Sequence, residues 1–259
     1  MNIVSIEDVS WVRNKKYILQ NINWDIKRHE HWAVLGLNGS GKTSLLHMLN
    51  GYLWPTKGTI NVLGKQFGQT DLRELRKSIG WVSSALQERV APMQLAEQIV
   101  MSGKYATTGL YDEPTDEDLD TAIKIMESLG CAHLVNRMYV TCSQGEQQKI
   151  LIARGLMAQP KLLILDEPTN GLDFIAREEL LTSIEQRVKE ESSPAIIYVT
   201  HHIEEIMPFF THTLLLKDGQ VFKQGKREDV LTDDMLTTFL ERNVHIEWIE
   251  ERPWMTISK

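Results

Sequence analysis

GLNGSGKT, residues 36–43, stands between a short apolar run at 31–35 and a stretch in which Leu45, Leu46 and Leu49 recur at helical spacing. It fits the pattern G-x-x-x-x-G-K-[ST] in the strand-then-helix setting that a phosphate-cradling loop requires. Gly36, Gly39 and Gly41 let the backbone turn tightly and aim its N–H groups inward, while the following helix presents the positive end of its dipole. Lys42 is expected to reach the β- and γ-phosphates of a nucleoside triphosphate, and the Thr43 hydroxyl to ligate Mg²⁺. Leu37, Asn38, Ser40 and Ser44 complete the set expected around the phosphates, and Gly51 is a natural stop for the helix.

The other half of such a site is expected far downstream at LLILDE, residues 162–167, where four apolar residues of a strand end in two acids. Neighbouring side chains at a strand end point in different directions, so two carboxylates there can divide the work. Asp166 is expected to hold Mg²⁺, directly or through water. Glu167 is expected to sit nearer the γ-phosphate and polarise the attacking water as general base, a role worth about 10²–10⁴ in rate. In isolation the pair reads as an ordinary acidic strand end before a turn; the cradle upstream gives it meaning.

Around these two motifs the pattern is that of an α/β sheet protein. Residues 3–26 alternate around a polar break at 13–16, as two strands joined by a turn do. Residues 59–63, 79–83, 162–166 and 196–200 read as further strands, with helical stretches between several of them. From 94 to 157 the strand signal vanishes, and Leu119, Ala122, Ile123, Met126 and Leu129 keep helical spacing, so a helical lobe is expected there. Residues 212–225 read as a hairpin around a Lys-Asp-Gly turn and 226–243 as helix, while the tail from 244 carries no readable signal. No internal repeat and no low-complexity linker interrupts this order.

Composition narrows the function classes. With 259 residues, 42% of them hydrophobic, the chain can bury a full core as one domain, or as a domain with a lobed insertion. Two cysteines, Cys131 and Cys142, are too few for a disulfide framework and suggest reduced thiols. The apolar runs are strand-sized, far short of the roughly 20 residues that span a bilayer, so no membrane crossing is expected. The N-terminal MNIVSIEDVSW carries acids and no basic apolar leader, so neither a secretory nor a lipid-anchor signal is expected. A net charge of −7 argues against a broad nucleic-acid-binding surface.

Over residues 3–243 the order of motifs resembles the ABC ATPase family. That resemblance implies a P-loop NTPase (RecA-like) α/β core with an N-terminal antiparallel β subdomain and an inserted α-helical subdomain. The core would comprise 1–87 and 159–243, and the helical subdomain 88–158. The family's signature loop, usually LSGGQ, corresponds to CSQGE at 142–146, which keeps Ser143 and Gly145 and departs at Cys142, Gln144 and Glu146. By resemblance Ser143, Gly145 and Glu146 bind the γ-phosphate of ATP held by a second subunit, and Asp173 in NGLD couples the two sites. His201 in YVTHH resembles the switch histidine, with His202 as its competitor. The family's glutamine loop reads V-P-Q, whereas IGWVSSALQ here puts Ser84 at that place and Gln87 three residues later. Gln87 is taken as the Mg²⁺ and water ligand. The residue stacking on adenine aligns with Arg13, whose guanidinium plane can stack, with Trp11 and Tyr17 close by.

The resemblance implies ATP and Mg²⁺ as ligands and a homodimer around two ATP. It further implies an ATP-binding transporter subunit working with separate transmembrane permease subunits, cytoplasmic and peripheral at the inner face of the cell membrane. A soluble ABC ATPase is the alternative. Soluble translation-type members carry two ATPase halves and repair members long coiled-coil or zinc insertions, and this chain has neither. QLAEQIVMSGK, residues 94–104, resembles the stretch that forms the groove for the membrane subunit, or else is an amphipathic core helix.

Overall fold

The alternation near the N-terminus folds into a long antiparallel hairpin in the computed structural model, which describes residues 2–105, 114–190 and 193–257. The chain forms two compact units, Met1–Leu72 with Ala195–Lys259, and Arg73–Pro194.

In the first unit β1 (Asn2–Arg13) pairs with β2 (Lys16–Lys27) across Asn14 and Lys15, whose φ of 51° and 62° are the left-handed pair that a tight hairpin turn demands. After β3 (Trp32–Leu35) and α1 (Lys42–Leu49) come β4 (Lys57–Val62) and β5 (Lys65–Gln66), giving an antiparallel sheet in the order β2-β1-β4-β5. Its inner face buries Val4, Ile6, Val9, Leu19, Ile22 and Ile26, each worth about 1.5–3 kcal/mol on burial. Trp24 meets Trp32 of β3 edge-on at 5.5 Å. All four residues of β3 are buried, as expected of a strand covered on both faces. Helix α1 stops where Gly51, at φ 68°, donates its N–H to Met48 O at 2.9 Å.

In the second unit α2 (Leu72–Arg76) leads to β6 (Ile79–Val82) and α3 (Ser84–Gln87), followed by α4 (Ala96–Ser102), α5 (Asp116–Ser128) and α6 (Gln144–Met157). Then come β7 (Leu162–Asp166) and α7 (Phe174–Val188). Strands β6 and β7 are parallel, with Val82 opposite Leu165. Helix α6 lies close beneath β6 because both contacting residues are glycines: a Cβ on Gly80 would stand 2.4 Å from Gly155 O. Between 94 and 157 the described residues are helical or looped apart from one bridge, Leu95 to Met138; 106–113 of that stretch lie outside the described residues.

The first unit resumes with β8 (Ala195–Thr200), β9 (His212–Lys217) and β10 (Gln220–Lys226). Strand β3 runs parallel to β8 on one side and β9 on the other, and β9 turns into β10 through Asp218 and Gly219, both at positive φ. The helix expected over 226–243 is two pieces, α8 (Arg227–Val230) and α9 (Asp233–Leu240). The break falls at Leu231, and Thr232 restarts the helix by accepting from Met235 N. The tail, unreadable in sequence, is an antiparallel hairpin of β11 (Val244–Ile249) and β12 (Arg252–Ile257) turning on Glu250 and Glu251.

Candidate active site

In the first unit register brings the expected residues together. Leu35, the last residue of β3, is opposite Thr200 of β8 and Leu215 of β9. Gly36 and His201 therefore leave neighbouring strand ends side by side, at the carboxyl edge where parallel sheets bind ligands. Gly36 must be glycine, because a Cβ there would lie 2.5 Å from Ser40 Oγ and 2.7 Å from Leu216 O. Gly41 adopts φ 104° and would press a Cβ to 2.8 Å from Leu19 Cδ2, so the loop rests on β2. Inside this turn Lys42, buried at 6% exposure, donates from Nζ to Gly36 O at 2.7 Å and Leu37 O at 3.3 Å. The buried Ser40 hydroxyl finds no partner among the described residues. A glycine-turned loop with a buried cation and an orphaned hydroxyl at a helix start suits an anionic phosphate chain. Leu37, Asn38, Gly39 and Thr43 are exposed and Ser44 half-buried, which leaves the outer face of the loop open.

Of the three residues weighed for adenine, Arg13 and Tyr17 are exposed at the hairpin tip and Trp11 is half-buried. Residues 18 and 19 touch Gly41, so Tyr17 is one residue from the cradle. The two histidines differ. His202 places Nδ1 3.5 Å from Glu204 Oε1, while His201 is exposed with its ring 4.1 Å from that of His202. Behind them Glu205, only 1% exposed, accepts from Thr200 Oγ1 at 2.5 Å and Tyr198 OH at 3.0 Å.

In the second unit Asp166 ends β7 half-buried, and Glu167 follows at φ 49°, a left-handed conformation that costs a non-glycine about 1–3 kcal/mol and concentrates at functional sites. Because Val82 is opposite Leu165, Ser83 and Asp166 emerge from adjacent strand ends. Ser83 is buried and caps α3 by accepting from Leu86 N, whereas Ser84 is exposed. Gln87 is clasped at both ends of its amide: Oε1 accepts from Gln148 Nε2 at 3.0 Å, and Nε2 donates to Gln147 Oε1 at 3.4 Å.

At the start of α6 Ser143 Oγ accepts from Glu146 N at 3.3 Å and Glu146 Oε2 accepts from Ser143 N at 2.7 Å, a reciprocal cap. The S-x-x-E spacing is the sequence signal for it. Glu146 also stands 3.2 Å from His133 Nε2 and 3.3 Å from Arg137 Nη1. Burial pushes its carboxyl up, but the Ser143 N–H, His133 and Arg137 together outweigh that and hold it below the usual carboxylate range. Gly145 faces α7, where a Cβ would come within 3.2 Å of Ala176 Cβ. Asp173 caps α7, accepting from Ala176 N at 2.9 Å beside the exposed Phe174 and Ile175. Burial keeps both thiols protonated, that of Cys131 pushed up to about 12 and that of Cys142 raised despite Arg137. Among the described residues no helix is long and apolar enough to cross a membrane.

The family model for ABC transporters matches residues 19–170. The ABC transporter ATP-binding protein YlmA of Bacillus subtilis is 49% identical over 98% of this chain and 97% of its own length. A solved structure of a metal-chelate type ABC transporter in an inward-facing conformation superposes with a TM-score of 0.81 at 26% identity, covering 100% of this chain and 97% of that one. A dimeric ATP-binding cassette in a post-hydrolysis state with ADP and Pi gives 0.73 at 25% identity, covering 86% and 98%.

Proposed function

The chain belongs to the ABC transporter family as one of its ATP-binding proteins, an ATPase, and from that premise we propose how its residues divide the work. Residues 36–44 hold the triphosphate, and Lys42 leaves the carbonyls of Gly36 and Leu37 to meet the β- and γ-oxygens. The observation that carries this reading is that buried ammonium, already held inside the loop by two carbonyls. Thr43, Gln87 and Asp166 each offer a side-chain oxygen, the hard ligand Mg²⁺ prefers. The ion, when bound, neutralises charge on the phosphates. Glu167 takes the proton of the attacking water, and His201, the more exposed of the two histidines, contacts the γ-phosphate. Arg13 stacks on adenine, with Tyr17 and Trp11 as the alternatives.

The other side of each nucleotide is closed by a second copy of the chain. Ser143 keeps a hydrogen to donate while its oxygen caps α6, Gly145 lets the backbone approach, and Glu146 completes the set across the dimer by fixing the loop through its bond from Ser143 N. Asp173 links the two sites. The dimeric cassette with ADP and Pi supports this arrangement. Separate permease subunits complete the transporter, with residues 94–104 of the helical subdomain, 88–158, forming the groove that receives them, while 1–87 and 159–243 make up the ATP-binding core. The protein works in the cytoplasm at the inner face of the membrane.

Glu167→Gln tests the assignment, since the amide preserves shape but accepts no proton. The variant is expected to bind ATP, to lose about 10²–10⁴ in turnover, and to accumulate as an ATP-bound dimer on size exclusion. Ordinary hydrolysis by this variant would place the base elsewhere.

A further inference from the structure

The tail hairpin β11–β12 is tied to the fold at both ends. Near its base, at the start of α9, Asp233 accepts from Ile246 N at 2.8 Å and meets His245 Nδ1 at 2.8 Å, while Val244 N donates to Thr237 Oγ1 at 3.2 Å. Near its turn, β12 packs on residues 203–205, and Arg252 donates from Nε to the carbonyl of Glu204. The guanidinium of Arg227 lies 5.2 Å from the Trp248 ring centroid and donates to Met207 O at 3.2 Å. The hairpin thus reaches the segment that follows His201 and His202.

That segment is a short closed loop. Glu205 clasps Thr200 and Tyr198 of β8, and Thr200 Oγ1 also accepts from His202 N at 3.0 Å, so both ends of the loop are held at the strand. His201 sits on this loop between the two fixed ends. The outer wall is Glu204, whose carboxylate lies by His202 and whose carbonyl takes the hydrogen bond from Arg252. We infer that Arg252 is a positioning residue for hydrolysis: through Glu204 the tail hairpin holds the His201 loop in the place from which His201 reaches the γ-phosphate. The inference rests on the reading of His201 proposed above.

Steady-state ATP turnover by the full chain tests it in Arg252→Ala, Arg252→Lys, His201→Ala and the double variant Arg252→Ala/His201→Ala. A displaced contact group costs up to about 10²-fold, and a loop loosened on one wall is expected to lower kcat about tenfold with KM for ATP within about twofold. Arg252→Lys, which keeps a donor, is expected to recover most of the loss. The double variant is expected to be no slower than His201→Ala alone, because Arg252 acts only through His201. Should the alanine variant melt below the assay temperature, Arg252→Gln and Arg252→Lys give the same graded comparison. With His201→Ala slow, a wild-type kcat in the Arg252 variants or a multiplicative double variant overturns the positioning role. Full turnover in His201→Ala instead overturns the assignment of the histidine.

Discussion

Replacing Lys42 with methionine retains most of the buried stem and removes the ammonium, which makes the phosphate contact measurable on its own. In the loop the ammonium donates to Gly36 O at 2.7 Å and Leu37 O at 3.3 Å, so nucleotide binding exchanges partners and only the difference reaches the affinity. An ammonium about 4 Å from a phosphate charge gains about 4 kcal/mol at an effective dielectric near 20. Surrendering the short bond to Gly36 O offsets about 1.5–3 kcal/mol of that, the usual worth of a hydrogen bond to a charged group, the 3.3 Å contact with Leu37 O being too long to add much. The remaining 1–2.5 kcal/mol, approximately, corresponds to a loss of about 5- to 70-fold in affinity. Titration calorimetry with ATP in Mg²⁺ reads this directly, and circular dichroism reports whether the variant is folded. Unchanged affinity in a folded Lys42→Met protein would refute the cradle. A loss beyond about a thousandfold would refute the exchange argument, since the carbonyl bonds would then offset nothing.

Two further outcomes follow from the second unit and the tail. Gln87→Ala is expected to lower the rate and raise the Mg²⁺ concentration at half-saturation, while Ser84→Ala leaves both unchanged; the opposite pattern would transfer the role to the serine. The hydrogen bond with His245 holds Asp233 below its ordinary range, and the same bond with Asp233 raises His245. Stability from Asp233 is present above its unfolded value near 3.8 and is lost as pH falls through the folded one; stability from His245 is present below 6.5 and is lost as pH rises through the folded one. The difference in Tm between wild type and His245→Gln is therefore expected to be largest between about pH 4 and 6.5 and to vanish at pH 9. A difference that persists at pH 9 would assign it to packing.

What the sequence made legible was local chemistry with a fixed spacing. Residues 36–43 and 162–167 carry their strand and turn context with them, and Asp218-Gly219 is a turn pair with a familiar backbone preference. The tail hairpin escaped because its turn is made by Glu250 and Glu251, which seldom take the left-handed conformations seen there, at φ 49° and 61°, and because Pro253 lies within β12. The break at Leu231 escaped because apolar spacing continues across it while the cap at Thr232 is a single hydroxyl. At the site, Gln87 and Gln148 are 61 residues apart, and no periodicity links two amides across that distance. Glu205 was equally hidden, since a buried carboxylate becomes intelligible only when Tyr198 and Thr200 are seen to donate to it.

Glu146 has a consequence for how this loop can vary. An acid stands where the resembling family usually has a neutral amide, at a helix start that a polyanion would approach. Its carboxylate is engaged by Ser143 N, Arg137 and His133, so its charge is answered from within the chain. The two upstream side chains act as a screen for a charge they did not introduce. A substitution at 133 or 137 would leave the signature loop letter for letter intact and yet remove a partner of its acid, so the three positions constrain one another as a set. Grafting CSQGE into a relative lacking that pair would carry over the repulsion without its remedy.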